Sequence, residues 1–237
     1  MSNWWSNLTP YDEKYKTIST IGKGQYGEVR KAKNILTGEI VAVKEIKRES
    51  NEGFPFNTLR EIEILQSIKH PNIVDLIEVF TDRNLLVYLV FDYAEYDLAT
   101  LLHQNNIYFK LSERHIKSYM RQLILGMYAL HQSLIYHRDL KPQNILVKKS
   151  NIVEIADFGL AKQVFEQATR MKNMTPGLIT LFYRPLEIFL QAPKYGLEVD
   201  IWSLGCIFFE MMTGRVLFQS PNFRKDNTDK DNENATV

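Results

Sequence analysis

Between residues 15 and 47 apolar and polar positions alternate with a period of two. A run to Ile21 is followed by a glycine-rich turn, then Glu28-Val29-Arg30-Lys31-Ala32-Lys33, a Thr37-Gly38 turn, and Ile40-Val41-Ala42-Val43-Lys44. Alternation of this kind predicts strands, and the two turns close them into a three-stranded antiparallel meander. Helical spacing follows in Leu59, Ile62, Ile64, Leu65 and Ile68 and stops at the His70-Pro71 breaker, after which residues 73–80 and 85–91 read as two more strands. Residues 15–91 thus make a β-rich unit with one helix.

Beyond Tyr93 the pattern turns helical. Ser112 is placed to cap a helix whose apolar face runs through Ile116, Met120, Leu123, Ile124, Met127 and Leu130. Two short strands flank residues 148–151, a turn-rich stretch fills 157–187, and an apolar helix spans 199–212. Ile201, Trp202, Leu204, Ile207, Phe208, Phe209, Met211 and Met212 surround that last helix almost completely, and a helix apolar all round has to be buried on all sides. Residues 221–237 are rich in Asn and Asp and are expected to be disordered. The chain divides into an extension (1–14), a β-rich unit (15–91), a mainly helical unit (92–220) and the polar tail, an α+β organisation without internal repeats.

Composition narrows the function classes. Of 237 residues 45% are hydrophobic, which suits a globule, and 29 Lys and Arg against 28 Asp and Glu leave a net charge of +1. Such a balance gives no global field for nucleic acid or for an acidic membrane surface. The lone cysteine, Cys206, has no partner for an internal disulfide and is expected to be a small buried hydrophobe; no Cys/His cluster has zinc-ligand spacing. The first fourteen residues lack the order of a signal peptide and the apolar runs are too short for a bilayer, so an intracellular protein is expected.

The chemistry is concentrated in a few segments. Gly22-Lys23-Gly24-Gln25-Tyr26-Gly27 has the G-x-G-x-x-G spacing that lets backbone approach a phosphate. A dinucleotide fold would place a helix after it, whereas residues 28–33 alternate as a strand, so the loop caps a hairpin, either as a cover for nucleotide phosphates or as a plain turn. Lys44 ends the third strand and Glu61, on the helix after it, is its natural ion-pair partner. Residues 136–144, Tyr-His-Arg-Asp-Leu-Lys-Pro-Gln-Asn, set a carboxylate (Asp139), an ammonium (Lys141) and an amide (Asn144) at fixed offsets in one loop. Asp157-Phe158-Gly159 follows thirteen positions after Asn144, and Arg184-Pro185-Leu186-Glu187 closes the segment. His137 and Phe158 are expected to pack in the core whatever else they do.

Five signals in this order resemble the protein-kinase superfamily over residues 15 to about 220. Residues 53–62, Gly-Phe-Pro-Phe-Asn-Thr-Leu-Arg-Glu-Ile, look like the cyclin-binding helix of cyclin-dependent kinases, and residues 115–119 and 179–185 point to the same branch, closest to the transcriptional kinases of the RNA polymerase II C-terminal repeats. Mitogen-activated kinases are the weaker match, because Thr175 is followed by Pro176 and Gly177 rather than by a tyrosine two places on.

The resemblance implies a two-lobe kinase fold and transfer of the ATP γ-phosphate to Ser or Thr, with Ser/Thr-Pro sites as in the family. Asp139 would be the base, Lys141 and Thr180 would position the acceptor, and Lys44 with Glu61 would hold the α and β phosphates. ATP would lie against Ile21, Gly22, Lys23, Gly24, Gln25, Tyr26 and Gly27. Its base would sit between Val29, Ala42 and Leu146, read by Asp92, Tyr93 and Ala94 behind Phe91. Asp97 would be near the ribose and Gln143 would also contact ATP; Asn144 and Asp157 would bind Mg2+. The implied partners are a cyclin on the helix of residues 53–68 and a protein substrate, with no direct nucleic-acid or membrane partner, in the nucleus or also the cytoplasm.

Regulation is implied at Thr175, twelve residues before Glu187, with Arg60, Arg138 and Lys162 as cations for its phosphate, and at Tyr26, alternatively just a loop-tip aromatic. Lysine at 162 replaces the usual arginine and loses the bidentate fork. The family's large lobe continues with more helices than are expected here, including an arginine that would pair with Glu187, and Phe182 and Leu186 replace the usual tryptophan and proline. A weakly catalytic product that binds cyclin or nucleotide is therefore the alternative to an active kinase.

Overall fold

A computed structural model describes residues 10–24, 27–46, 56–82, 86–103, 111–163, 181–190 and 195–218. A one-turn helix α1 (Tyr11–Lys14) leads into β1 (Tyr15–Gly24), β2 (Gly27–Asn34) and β3 (Ile40–Ile46), the expected antiparallel meander. Helix α2 (Phe56–Ser67) precedes β4 (Leu76–Thr81) and β5 (Val87–Asp92). The five strands form one sheet in the order β1-β2-β3-β5-β4.

Period-two alternation decides what each face of this sheet touches. Ile46, Leu89 and Phe91 join the main core with Ile64 and Leu65 of α2 and with Ile68 just after it. Val41, Val43, Tyr88 and Val90 point the other way and form a second cluster with Ala32, Tyr11 and Tyr15. Both faces are covered, which is why residues 40–43 read as a continuous apolar run. The outer cluster is an aromatic ladder: Tyr11 stacks on Tyr88 at 5.0 Å, Tyr88 on Phe80 at 5.0 Å and Phe80 on Tyr15 at 5.9 Å between ring centroids. Such pairs add stabilisation beyond the area they bury.

After the two-residue β6 (Tyr96–Asp97) come α3 (Leu98–His103) and the long α4 (Glu113–Gln132). Ser112 caps α4 as the sequence predicts, its hydroxyl accepting from the His115 amide at 3.4 Å. The short strands β7 (Ile135–Tyr136), β8 (Ile145–Val147), β9 (Val153–Ile155) and β10 (Lys162–Gln163) follow, then α5 (Leu186–Phe189) and α6 (Glu198–Thr213). β6, β8 and β9 form one small sheet, and β7 pairs with β10.

Helix α4 buries Tyr119, Leu123, Gly126, Met127 and Leu130. Ile124, expected on its core face, is instead 53% exposed, because at 100° per residue it falls at the edge of the face that Tyr119, Leu123 and Leu130 bury. It lines an open groove of about 790 Å3 with Ile116, Met120, Phe208 and Met212. Helix α6 is likewise covered on one side only. Leu204, Cys206, Ile207 and Met211 are buried, but Ile201, Trp202, Phe208 and Met212 stay 39–53% exposed, and Trp202 stacks on Phe218 with ring centroids 5.5 Å apart. Cys206 is buried as expected, and burial pushes its thiol up to about 11. Among the described residues no helix is long and apolar enough to cross a membrane.

At Gly126 helix α4 packs directly against the loop before β4 and against β9. A Cβ there would lie 2.8 Å from the Asn72 carbonyl oxygen and 3.0 Å from Ile155 Cδ1. The loop before β4 is in turn bound to β9, through Ile155 N to Asn72 O and Val74 N to Ile155 O, both 2.9 Å. Gly126→Ala is expected to lower stability by about 1–3 kcal/mol despite alanine's better helix propensity, as overpacking does. Urea unfolding of the two proteins side by side measures it, and equal midpoints would contradict the close approach.

Candidate active site

The site begins at the glycine loop. Gly22 lies opposite Val29 across the β1–β2 pair, and a Cβ on Gly27 would fall 1.7 Å from the Glu45 carbonyl oxygen, so the third glycine is enforced by the neighbouring strand. Ile21 is 48% exposed. Lys23 and Gly24 complete β1, whereas Gln25 and Tyr26 lie outside the described residues. Val29, Ala42 and Lys44 share one face of the sheet, Lys44 standing opposite Val29 and Leu89, and Ala42 opposite Phe91. Ala42 and Leu146 both pack at the edge of the main core.

Lys44 meets Glu61 as the sequence predicts. Its Nζ donates to both carboxylate oxygens at 2.9 and 2.8 Å, and Asp157 Oδ1 is 3.8 Å away. Burial works against the Lys44 ammonium, but Glu61 and then Asp157 outweigh it and hold its pKa above the ordinary lysine value. Burial pushes the Glu61 carboxyl up, with Lys44 pulling it back in part.

The loop of residues 137–144 is held by a group that the motif does not contain. Asp200, fully buried on α6, accepts the backbone amides of His137 at 2.9 Å and Arg138 at 2.8 Å, and its Oδ2 lies 3.2 Å from His131 Nε2. Arg138 sits at φ 67°, in the left-handed region that costs a non-glycine residue about 1–2 kcal/mol, and this anchoring offsets it. Asp157 is left-handed too, at φ 64°. His137 Nε2 lies 3.0 Å from the Ala156 carbonyl while its Nδ1 accepts the Asp139 amide at 3.3 Å, so the ring carries its proton on Nε2. It packs edge-on against the buried Phe158 at 5.0 Å, tying the Asp139 loop to the Asp157 loop.

Asp139 Oδ2 accepts from Lys141 Nζ at 2.8 Å and Asn144 Nδ2 at 3.1 Å, and Asn144 Nδ2 also donates to the Asp139 carbonyl at 2.8 Å. Asn144 and Gln143 lie in a 3-10 turn, Pro142–Asn144. With its NH2 spent on Asp139, the Asn144 side chain offers its carbonyl oxygen as a ligand. Arg184 comes close enough to feel Asp139; burial, partly offset by that carboxylate, lowers its pKa, and its Nη2 has no hydrogen-bond partner among the described residues.

At the back of the cleft Phe91 is buried, and Asp92, Tyr93 and Ala94 lead out of β5. Asp97, expected near a ribose, spends both oxygens on the first turn of α3, accepting Thr100 N at 2.7 Å and Thr100 Oγ1 at 2.6 Å. Arg60, Arg138 and Lys162 come together as the sequence anticipates. Burial and then Arg138 lower Arg60; burial, Arg138 and Arg60 lower Lys162. Thr175 and Thr180 lie outside the described residues.

Asp200 and the capping role of Asp97 were the pieces that motif spacing missed. A buried acid in an apolar helix was the available signal for the first; an Asp three residues before a threonine at a helix start was the signal for the second.

Removing Lys44 alone would leave Glu61 buried without its counterion. A double-mutant cycle of Lys44→Met and Glu61→Leu is expected to give a coupling of about 1–3 kcal/mol in chemical unfolding, with the double variant more stable than Lys44→Met. Additive effects would show that the pair is not formed.

The protein kinase domain family matches residues 15–236. Over 217 residues the chain is 42% identical to cyclin-dependent kinase 9 of Danio rerio, an alignment covering 87% of this chain and 58% of the relative. It is 41% identical over 205 residues to cyclin-dependent kinase 7 of Dictyostelium discoideum (84% and 55% covered). With CTD kinase subunit alpha of Saccharomyces cerevisiae the identity is 40% over 209 residues (88% and 38% covered). The chain spans about half the length of the curated relatives it matches. With its small-lobe sheet, the paired Lys44 and Glu61 and the loop around Asp139, the chain belongs to the protein kinase domain family, on the transcriptional cyclin-dependent branch.

Proposed function

We propose that this chain transfers the γ-phosphate of ATP to Ser or Thr of protein substrates, at Ser/Thr-Pro sites, as a cyclin-dependent kinase. The observation that carries the reading is the Asp139 carboxylate held between Lys141 and Asn144, with Asp157 close to the Lys44–Glu61 pair. In that arrangement Asp139 would orient and accept the proton of the substrate hydroxyl. Lys141 would neutralise the transferring phosphoryl group, and Lys44 would hold the phosphates behind it.

ATP would lie between the glycine loop with Val29 and Ala42 above and Leu146 below, its adenine against residues 92–94. The Asn144 carbonyl oxygen and the half-exposed Asp157 carboxylate are hard oxygen donors, too few to enclose an ion, which fits Mg2+ completed by water and phosphate oxygens. Bound there, Mg2+ would supply charge neutralisation to the phosphates. Asp139→Asn is expected to lower kcat by about 10²–10⁴-fold, as loss of a general base does, while leaving nucleotide affinity nearly unchanged. Phosphorylation of a Ser-Pro repeat peptide, with candidate cyclins added, measures it; a variant as active as the parent would overturn the role.

The partner on α2 is a cyclin in this reading. The inner face of the helix is fixed by Ile64 and Leu65, whereas Leu59 is 52% exposed. Any partner that shifts α2 shifts Glu61 and with it Lys44. The convergence of Arg60, Arg138 and Lys162 supports Thr175 as a phosphorylation site, because a phosphate adding about −1.5 to −2 charges would relieve their mutual repulsion. Thr175→Ala is expected to reduce activity in a cyclin-saturated assay, by about tenfold if one charge-assisted contact is lost; full activity would exclude the switch. Nuclear location follows the same family reading. A second reading, a protein that holds cyclin or nucleotide with little turnover, is favoured by the exposed Ile201, Trp202, Phe208 and Met212 on the helix that carries Asp200.

A further inference from the structure

The segment between the lobes is gripped by the β8–β9 hairpin through charges that no kinase motif includes. Lys148, the first residue after β8, puts its ammonium 2.6 Å from Asp92 Oδ2 and 2.7 Å from Glu154 Oε1. Asp92 is the last residue of β5, and its other oxygen accepts the Tyr93 amide at 2.9 Å. One turn further, the Lys149 amide donates to Glu95 Oε2 at 2.9 Å, and Tyr96 pairs with Val147 across β6 and β8. From the small lobe, Lys31 lies over the Tyr93 ring at 4.2 Å.

We propose that Lys148 is a positioning residue for the adenine end of the nucleotide, a strut that fixes Asp92 and the Tyr93 amide against the large lobe. This rests on the nucleotide-binding part of the reading above and extends it to a residue outside the site.

Glu154 is what holds Lys148 in place. It is 5% exposed, lies opposite Leu146 in the β8–β9 register, and its Oε2 has no hydrogen-bond partner among the described residues. Burial pushes its carboxyl up and Lys148 counters it. A carboxylate so placed needs its counterion, so the Lys148 side chain is immobilised by the core whether or not Asp92 is present. An exposed ion pair is weak mainly because two long side chains must be ordered to make it. Here one of them is already ordered, so Asp92 docks on a preorganised cation and loses only its own freedom. The rigidity of β9 is thereby passed to Asp92, then to the Tyr93 amide, which is held toward the Asp92 carboxylate. The backbone groups of residues 92–94, which would read the adenine edge, inherit that orientation. The phosphate end is held by other residues, Lys44 and the glycine loop.

That separation makes the proposal testable with fragments of ATP. In the full chain, Lys148→Gln is expected to weaken adenosine binding about fivefold, the scale of one partly exposed hydrogen-bonded ion pair, while Mg2+ tripolyphosphate binding stays within about twofold. Lys148→Arg, which keeps the charge, is expected to restore adenosine affinity to within about twofold of the parent. Asp92→Asn leaves the Lys148–Glu154 pair intact and should reproduce the adenosine loss, so it serves if Lys148→Gln does not fold. Calorimetry reads all four. Unchanged adenosine affinity in Lys148→Gln or Asp92→Asn overturns the proposal, as does an equal loss of adenosine and tripolyphosphate, which would signal a loosened fold. A parent chain that binds adenosine yet phosphorylates no peptide overturns the kinase reading alone; one that binds no adenosine overturns both.

Discussion

The carboxylate of Asp200 is the constraint on which the geometry of the site rests. It is fully buried, and it accepts two consecutive backbone amides, His137 and Arg138, with the His131 ring beside it. A buried carboxylate without such partners would be costly, so the loop and the acid stabilise each other. The two amides hold Arg138 in its left-handed conformation, and the next residue, Asp139, then meets Lys141 and Asn144. Glu210, nearly three turns along the same helix, has a parallel task. Fully buried, it accepts the Tyr183 hydroxyl at 2.5 Å and lies 2.7 Å from His103 Nε2, while Ser203 donates to the Tyr183 carbonyl at 2.7 Å. An apolar helix thus spends its buried polar residues on fixing two loops.

The small lobe supplies the complementary half. Lys44 is aimed by strand alternation, but the depth of Glu61 depends on how α2 packs, through Ile64, Leu65 and Ile68, on the inner face of the sheet. Because Glu61 is buried and Asp157 lies within 3.8 Å of Lys44, the ammonium interacts with acids from both lobes. Opening the cleft would separate Lys44 from Asp157 first, since Glu61 belongs to its own lobe. The packing of the loop before β4 on β9 opposes such opening at its base, and Gly126 permits that contact by having no side chain.

What the sequence revealed and what it hid follow from distance along the chain. Asp139, Lys141, Asn144 and Asp157 were legible because their chemistry is written within one short stretch, and Ser112 because a cap acts on its own helix. The meander of β1, β2 and β3 followed from local alternation and tight turns. The aromatic ladder was not legible: Tyr11 and Tyr88 are stacked but lie 77 positions apart, and nothing in either local pattern requires the meeting. The contact of Lys148 with Asp92 and the buried Glu154 was not legible for the same reason, since Lys148 and Asp92 lie 56 positions apart. Ile124 shows the converse limit. Periodicity identified an apolar face on α4 but did not show which part of it the neighbouring elements would cover.

The exposed side of α6 bears on stability more than on the geometry of the loop. Positions 200, 203, 204, 207 and 211 fall on one face at 100° per residue, and all five are buried. Ile201, Trp202, Phe208 and Met212 lie on the opposite side and are the ones left partly open. Covering them would contribute on the order of 1 kcal/mol each, since they are about half-buried already. The Asp200 contacts are made on the buried face and do not pass through these residues. A partner that covers the open face therefore raises the free energy of unfolding without having to move Asp139, whereas a change on the buried face displaces the His137–Asp139 loop even in a protein that remains folded.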